Sequence, residues 1–135
     1  MSEALTARDA IGQMIELFDS GRWLNRHNAY LKEGYCAERA DGTPTMHYDP
    51  AAVGYCMGGA MAKVTGQPLC QLPNYPDSEL ARMRPEPWPG EPVHAEVLAR
   101  IERLAGTFYG WYNDAPGRTY DEVRALLVEA RELGD

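Results

Sequence analysis

The sequence predicts a mainly α-helical single domain spanning residues 1–135: a bundle of four to five helices around a buried central helix at about residues 50–65. Three observations lead there. Apolar residues recur every three or four positions in three long segments, the mark of amphipathic helices. A fourth segment, from Ala51 to Val64, carries one charge, Lys63, as a helix enclosed by others would. A length of 135 residues, 44% hydrophobic and 24% charged, fits one domain that buries a core without disulfide or metal staples.

The first helix is expected at about 7–19. Thr6 and Asp9 form a Thr-x-x-acid start, Ile11, Met14, Ile15 and Phe18 share one face, and Ser20-Gly21 ends it. Residues 25–48 are less regular. Asp41-Gly42 has turn chemistry that would join Tyr35–Glu38 to Thr45–Tyr48, leaving room for a small β-hairpin near 35–48. The central helix reads as starting at Asp49-Pro50, an N-cap followed by a first-turn proline, and stopping at Gly66. Its interior glycines Gly54, Gly58 and Gly59 each disfavour helix by about 1 kcal/mol, which predicts close packing as compensation.

A Pro-rich excursion over residues 66–91 follows, with Pro68, Pro73, Pro76, Pro85, Pro87 and Pro89 interleaved with Tyr75, Met83 and Trp88. Its proline density makes it stiff, and its apolar residues argue for an ordered segment over the core. The third helix starts at Pro92 and carries Val93, Val97, Ile101, Leu104, Phe108 and Trp111 on one stripe. Gly106 and Gly110 lie on an adjacent face, where they would meet Gly54 and Gly58 in a close helix crossing. The last helix has a full capping-box sequence, Thr119-Tyr120-Asp121-Glu122, and an apolar face of Val123, Leu126, Leu127, Ala130 and Leu133.

Charge and composition exclude several function classes. With 20 Asp+Glu against 13 Lys+Arg the net charge is −7, which argues against direct nucleic-acid binding, since that affinity comes mostly from cations meeting phosphates. No apolar run approaches the ~18 residues needed to span a membrane, and the N-terminus lacks a signal-peptide pattern. A cytoplasmic protein is expected, with Cys36, Cys56 and Cys70 as thiols.

Two motifs carry a family resemblance. Cys56-x-x-Gly59-Ala60-Met61 lies on the central helix. Trp111-Tyr112-Asn113-Asp114-Ala115-Pro116-Gly117-Arg118-Thr119 leads into Glu122-Val123. Together they resemble an uncharacterised family of small helical bacterial and phage proteins with a Cys-x-x-Gly-Ala-Leu helix, a Trp-Asn-Asp turn and an Arg-Thr-x-x-Glu-Val helix. The likeness covers about residues 8–65 and 97–133. Tyr112 interrupts the usual Trp-Asn pair, Met61 replaces Leu, Tyr55 stands before the cysteine where Trp is common, and the Pro-rich stretch has no counterpart. The resemblance implies a fold and a mobile-element setting, and no catalytic role.

The residues allow few chemistries. Cys56, His94 and Asn113 or Asp114 follow the chain order of a Cys-His-Asn hydrolase, in which a base activates the thiol and a third group orients the base. Against it, Cys56 is expected nearly two turns inside its helix, in surroundings that raise a thiol pKa. Cys36, His47, Cys56, Cys70 and His94 lack the paired spacings of a zinc site, so no metal and no cofactor is expected. His27, His47 and His94 read as surface or capping residues. The turn residues Asn113, Asp114, Arg118 and Thr119 read first as local structure. Phe108, Tyr109, Trp111 and Tyr112 cannot all face one core stripe. With Tyr75, Arg82, Arg84 and Trp88, Tyr109 and Tyr112 supply the aromatic and arginine anchors of a protein interface.

The function these readings predict is a non-enzymatic protein-binding module with a basic protein partner. The resemblance sharpens it to a phage or mobile-element inhibitor of a bacterial defence complex, in the manner of an anti-CRISPR. The alternatives are a cysteine-dependent hydrolase using Cys56 and His94, and a self-associating structural or regulatory protein, for which a homodimer would cover the aromatics.

Overall fold

The computed structural model describes residues 5–24, 37–66 and 88–133. Among them are five helices, α1 (Ala7–Ser20), α2 (Met57–Thr65), α3 (Glu91–Ala105), α4 (Tyr109–Asn113) and α5 (Tyr120–Glu132). There are also four short strands, β1 (Arg22–Trp23), β2 (Ala37–Arg39), β3 (Pro44–Thr45) and β4 (Ala52–Tyr55). The strands form one mixed sheet in the order β1-β4-β2-β3, with β1 parallel to β4 and the other pairs antiparallel. The domain is therefore an α/β mix, which corrects the mainly helical bundle with at most a small hairpin.

Two helices follow local sequence closely. In α1 the Thr6 hydroxyl accepts from the Asp9 backbone N–H at 3.1 Å, and Ala10, Ile11, Met14, Ile15 and Phe18 are buried. In α5 the capping box is complete: Thr119 accepts from the Glu122 N–H, while the Glu122 carboxylate accepts from the Thr119 N–H at 3.0 Å. The apolar faces of these first and last helices pack on each other, and α2 and α3 close the core with Met57, Ala60, Met61, Val97 and Ile101. Each fully buried side chain of this size contributes about 1.5–3 kcal/mol.

The central helix is shorter than the sequence suggests. Asp49-Pro50 is a turn: the Asp49 carboxylate accepts from the Ala51 N–H at 2.8 Å, from the Thr45 hydroxyl at 2.7 Å and from Arg39 at 3.0 Å. These bonds hold its carboxyl below the usual carboxylate range, the Thr45 bond first. Ala52–Tyr55 then runs as a strand, and α2 starts only at Met57, with Gly66 as its left-handed C-cap. The turn at Asp41-Gly42 joins β2 to β3 in a hairpin, shorter than the one outlined at 35–48 and part of the larger sheet.

The predicted glycine crossing is absent, because its four members lie on different elements. Gly106 is the left-handed C-cap of α3, and Gly54 lies in β4. Gly54 sits between Arg22 on β1 and Glu38 on β2, its partners in register. Those two side chains meet across it at 2.8 Å, and a Cβ on residue 54 would stand 3.1 Å from Glu38 and 3.2 Å from Arg22. Gly58 instead receives the ring of Tyr109, whose hydroxyl would lie 3.0 Å from an added Cβ.

Candidate functional site

The end of α3 decides where the aromatic cluster points. Gly106 takes a left-handed conformation (φ 71°) and breaks the expected long helix, so α4 begins a new phase. Phe108 and Trp111, expected on the core stripe, are 37% and 73% exposed. Their rings meet edge to face with centroids 6.0 Å apart. Tyr109 and Tyr112, expected to reach a partner, are half-buried. Tyr109 lies against Gly58, and the Arg118 guanidinium stacks on Tyr112, 3.8 Å from the ring centroid. Burial pushes the Tyr112 phenol up.

The helix beneath this pair is tied at both ends. At its start the Tyr109 N–H donates to the Glu102 carboxylate at 3.0 Å. At its end Asn113 is 2% exposed and reaches across the fold. Its carboxamide oxygen accepts from the Trp23 indole at 2.6 Å, and its Nδ2 donates to the Leu24 carbonyl at 2.9 Å and to Asp114 at 3.0 Å. Arg118 donates to the Tyr112 carbonyl at 2.9 Å and to Glu122 at 3.0 Å. The Glu122 carboxyl is held low, first by the Thr119 N–H. The turn residues thus form a hydrogen-bonded bracket under an aromatic surface.

The proposed catalytic residues have different surroundings. Cys56 is the N-cap of α2, its sulfur accepting from the Gly59 N–H at 3.3 Å. That corrects its placement inside the helix, since the N-terminal end of a helix favours a thiolate. His94 packs edge-on to Trp88 at 5.8 Å, and burial pushes its pKa down against the opposing charge of Glu91. Asn113 is engaged by Trp23 and Leu24 as described. His47, expected as a surface or capping residue, is 3% exposed and lies edge-on to Tyr48. Tyr75, Arg82, Arg84, His27, Cys36 and Cys70 lie outside the described residues, as does most of the 66–91 excursion. Among the described residues no three His, Cys, Asp or Glu side chains gather as a metal site would require, and no helix is long and apolar enough to cross a membrane.

The aromatic surface and its bracket were hard to find from sequence. One continuous helix through this stretch would turn Phe108 and Trp111 inward, whereas the break at Gly106 leaves them exposed. A small mixed sheet covered by a layer of helices, with an aromatic pair displayed on a bracketed short helix, defines a compact α/β class of protein. Residues 3–133 match a family of unknown function, DUF6197, and the chain belongs to that family. No curated protein and no solved structure matches it.

Proposed function

We propose that the protein is a non-enzymatic protein-binding module whose contact surface centres on Phe108 and Trp111. One observation carries the reading: Trp111 is 73% exposed on a helix that is otherwise fastened to the fold. Leaving a tryptophan in water forfeits burial energy, and rigid aromatics are the commonest interface anchors. The net charge of −7 favours a partner with a basic surface by charge complementarity. In its sharper form, supported by the phage and bacterial resemblance of the Trp111–Thr119 motif, the protein is a mobile-element inhibitor of a bacterial defence complex, acting in the cytoplasm. Trp88 would contribute less to such a surface, because it is half-buried beside His94.

Affinity capture from a bacterial lysate tests this with wild type and Trp111→Ala. Loss of Trp111 should leave thermal stability within about 0.5 kcal/mol, as for an exposed site, and abolish capture of a basic protein. Equal capture by both would sink the reading. Light scattering on the protein alone distinguishes self-association, which would bury the same pair in a homodimer. A second reading, a hydrolase using Cys56 and His94, draws on the N-cap position of Cys56. Rapid iodoacetamide labelling of native Cys56 at neutral pH supports it, and protection until unfolding removes it.

A further inference from the structure

We infer that Asn113 is a positioning residue: its buried carboxamide locks segment 107–116 against Trp23 and Leu24 and so fixes the angle at which Phe108 and Trp111 face a partner. The inference rests on the binding reading above and concerns how that surface is held. Three observations support it. First, α4 has five residues, far fewer than the ~12–15 that an isolated helix needs to persist in water. Its order must therefore come from tertiary ties. Second, the segment is bounded by two glycines in the left-handed conformation, Gly106 (φ 71°) and Gly117 (φ 77°). Neither has a neighbour within 4 Å of an added Cβ, so among the described residues both ends of the segment face open space rather than packed side chains. Third, beside the Arg118 bond to the Tyr112 carbonyl and the Tyr112 hydroxyl bond to the Glu122 carbonyl, one side chain at the far end reaches across the fold to the first strand. Asn113 accepts from Trp23 and donates to Leu24, groups 90 and 89 residues distant in sequence.

Opening the segment at Asn113 exposes the Trp23 N–H and the Leu24 carbonyl together. A closed bracket presents the aromatic pair already ordered, which removes part of the entropy a partner would otherwise have to overcome.

Native-state hydrogen exchange across a denaturant series tests this without any partner, so its failure and the failure of the binding reading are separate results. In Asn113→Ala the amides of Tyr109–Asn113 should exchange at least roughly tenfold faster than in wild type, the equivalent of about one lost hydrogen bond. They should do so with almost no dependence on denaturant. The amides of α1 should keep the steep dependence of global unfolding. Trp23→Phe removes one donor, keeps the ring packing, and should accelerate the same amides severalfold, which preserves the test if Asn113→Ala does not fold. Unchanged exchange at 109–113, or exchange there with the same denaturant slope as α1, overturns the inference.

Discussion

Of the polar links between the α1–β1 region and the C-terminal part of the chain, Asn113 and Asp19 are built on opposite principles. Asn113 is neutral, buried, and hydrogen-bonded to Trp23, Leu24 and Asp114. Asp19, at the end of α1, is charged and exposed, and it receives Arg124 through both oxygens and the Tyr120 hydroxyl at 2.5 Å. Both span about the same distance in sequence. The buried anchor draws its strength from the penalty of leaving its partners unsatisfied in a dry environment. The exposed one exchanges ion–water contacts for an ion pair of similar worth. Contact number alone would rank Asp19 the stronger; solvation reverses the order.

The largest effect that separates the two is Asn113→Ala. It strands the Trp23 N–H and the Leu24 carbonyl, and urea unfolding should show a loss of about 2–3 kcal/mol. Trp23→Phe leaves one acceptor without its donor, and should lose about 1–1.5 kcal/mol in the same titration. Asp19→Asn should lose less than about 1 kcal/mol, and that loss should shrink toward zero near 1 M salt while the Asn113→Ala loss stays constant. If the salt response is the same for both, the buried–exposed distinction fails.

The smallest effect is on acid stability. Arg124 first, then Tyr120, holds the Asp19 carboxyl below its ordinary value of 3.8. A depressed folded pKa contributes stability that is complete above the unfolded value and disappears as pH falls through the folded one. Between about pH 5 and pH 2, Asp19→Asn should therefore lose stability less steeply than wild type, while Asn113→Ala should run parallel to wild type. Thermal melts across that range read the difference. Asp41, Asp49 and Glu122 are held low in the same way and add slope of the same sign.

The contrast also explains what the sequence could reveal. The Asp19 end of α1 and the whole of α5 follow from short-range signals: Thr6 and Asp9, the Thr119–Glu122 box, and apolar residues at helical spacing. The sheet does not. Its strands are two to four residues long, and Ala52–Tyr55 is an apolar run whose period cannot separate strand from helix. Asp49-Pro50 imitates a helix start, whereas the actual cap, Cys56, is not a residue that usually signals one. The parallel pairing of β1 with β4 and the Asn113–Trp23 bond depend on long-range closure, which no local pattern encodes. The exposed aromatic pair was missed for a local reason: a left-handed Gly106 resets the helical phase, and nothing before Gly106 announces it.

The packing of α1 on α5 has a consequence for synthesis. The groups that join these helices, Asp19 and Tyr120, are 101 residues apart. During translation Ile11, Met14 and Phe18 emerge early, and their main covering face, Val123 and Leu127, emerges among the last residues described. The nascent chain carries an uncovered apolar stripe from the synthesis of α1 until that of α5. Closing so long a loop slows folding and gives chaperones a binding target. Truncating the gene before α5 should therefore yield an aggregating chain rather than a smaller folded domain.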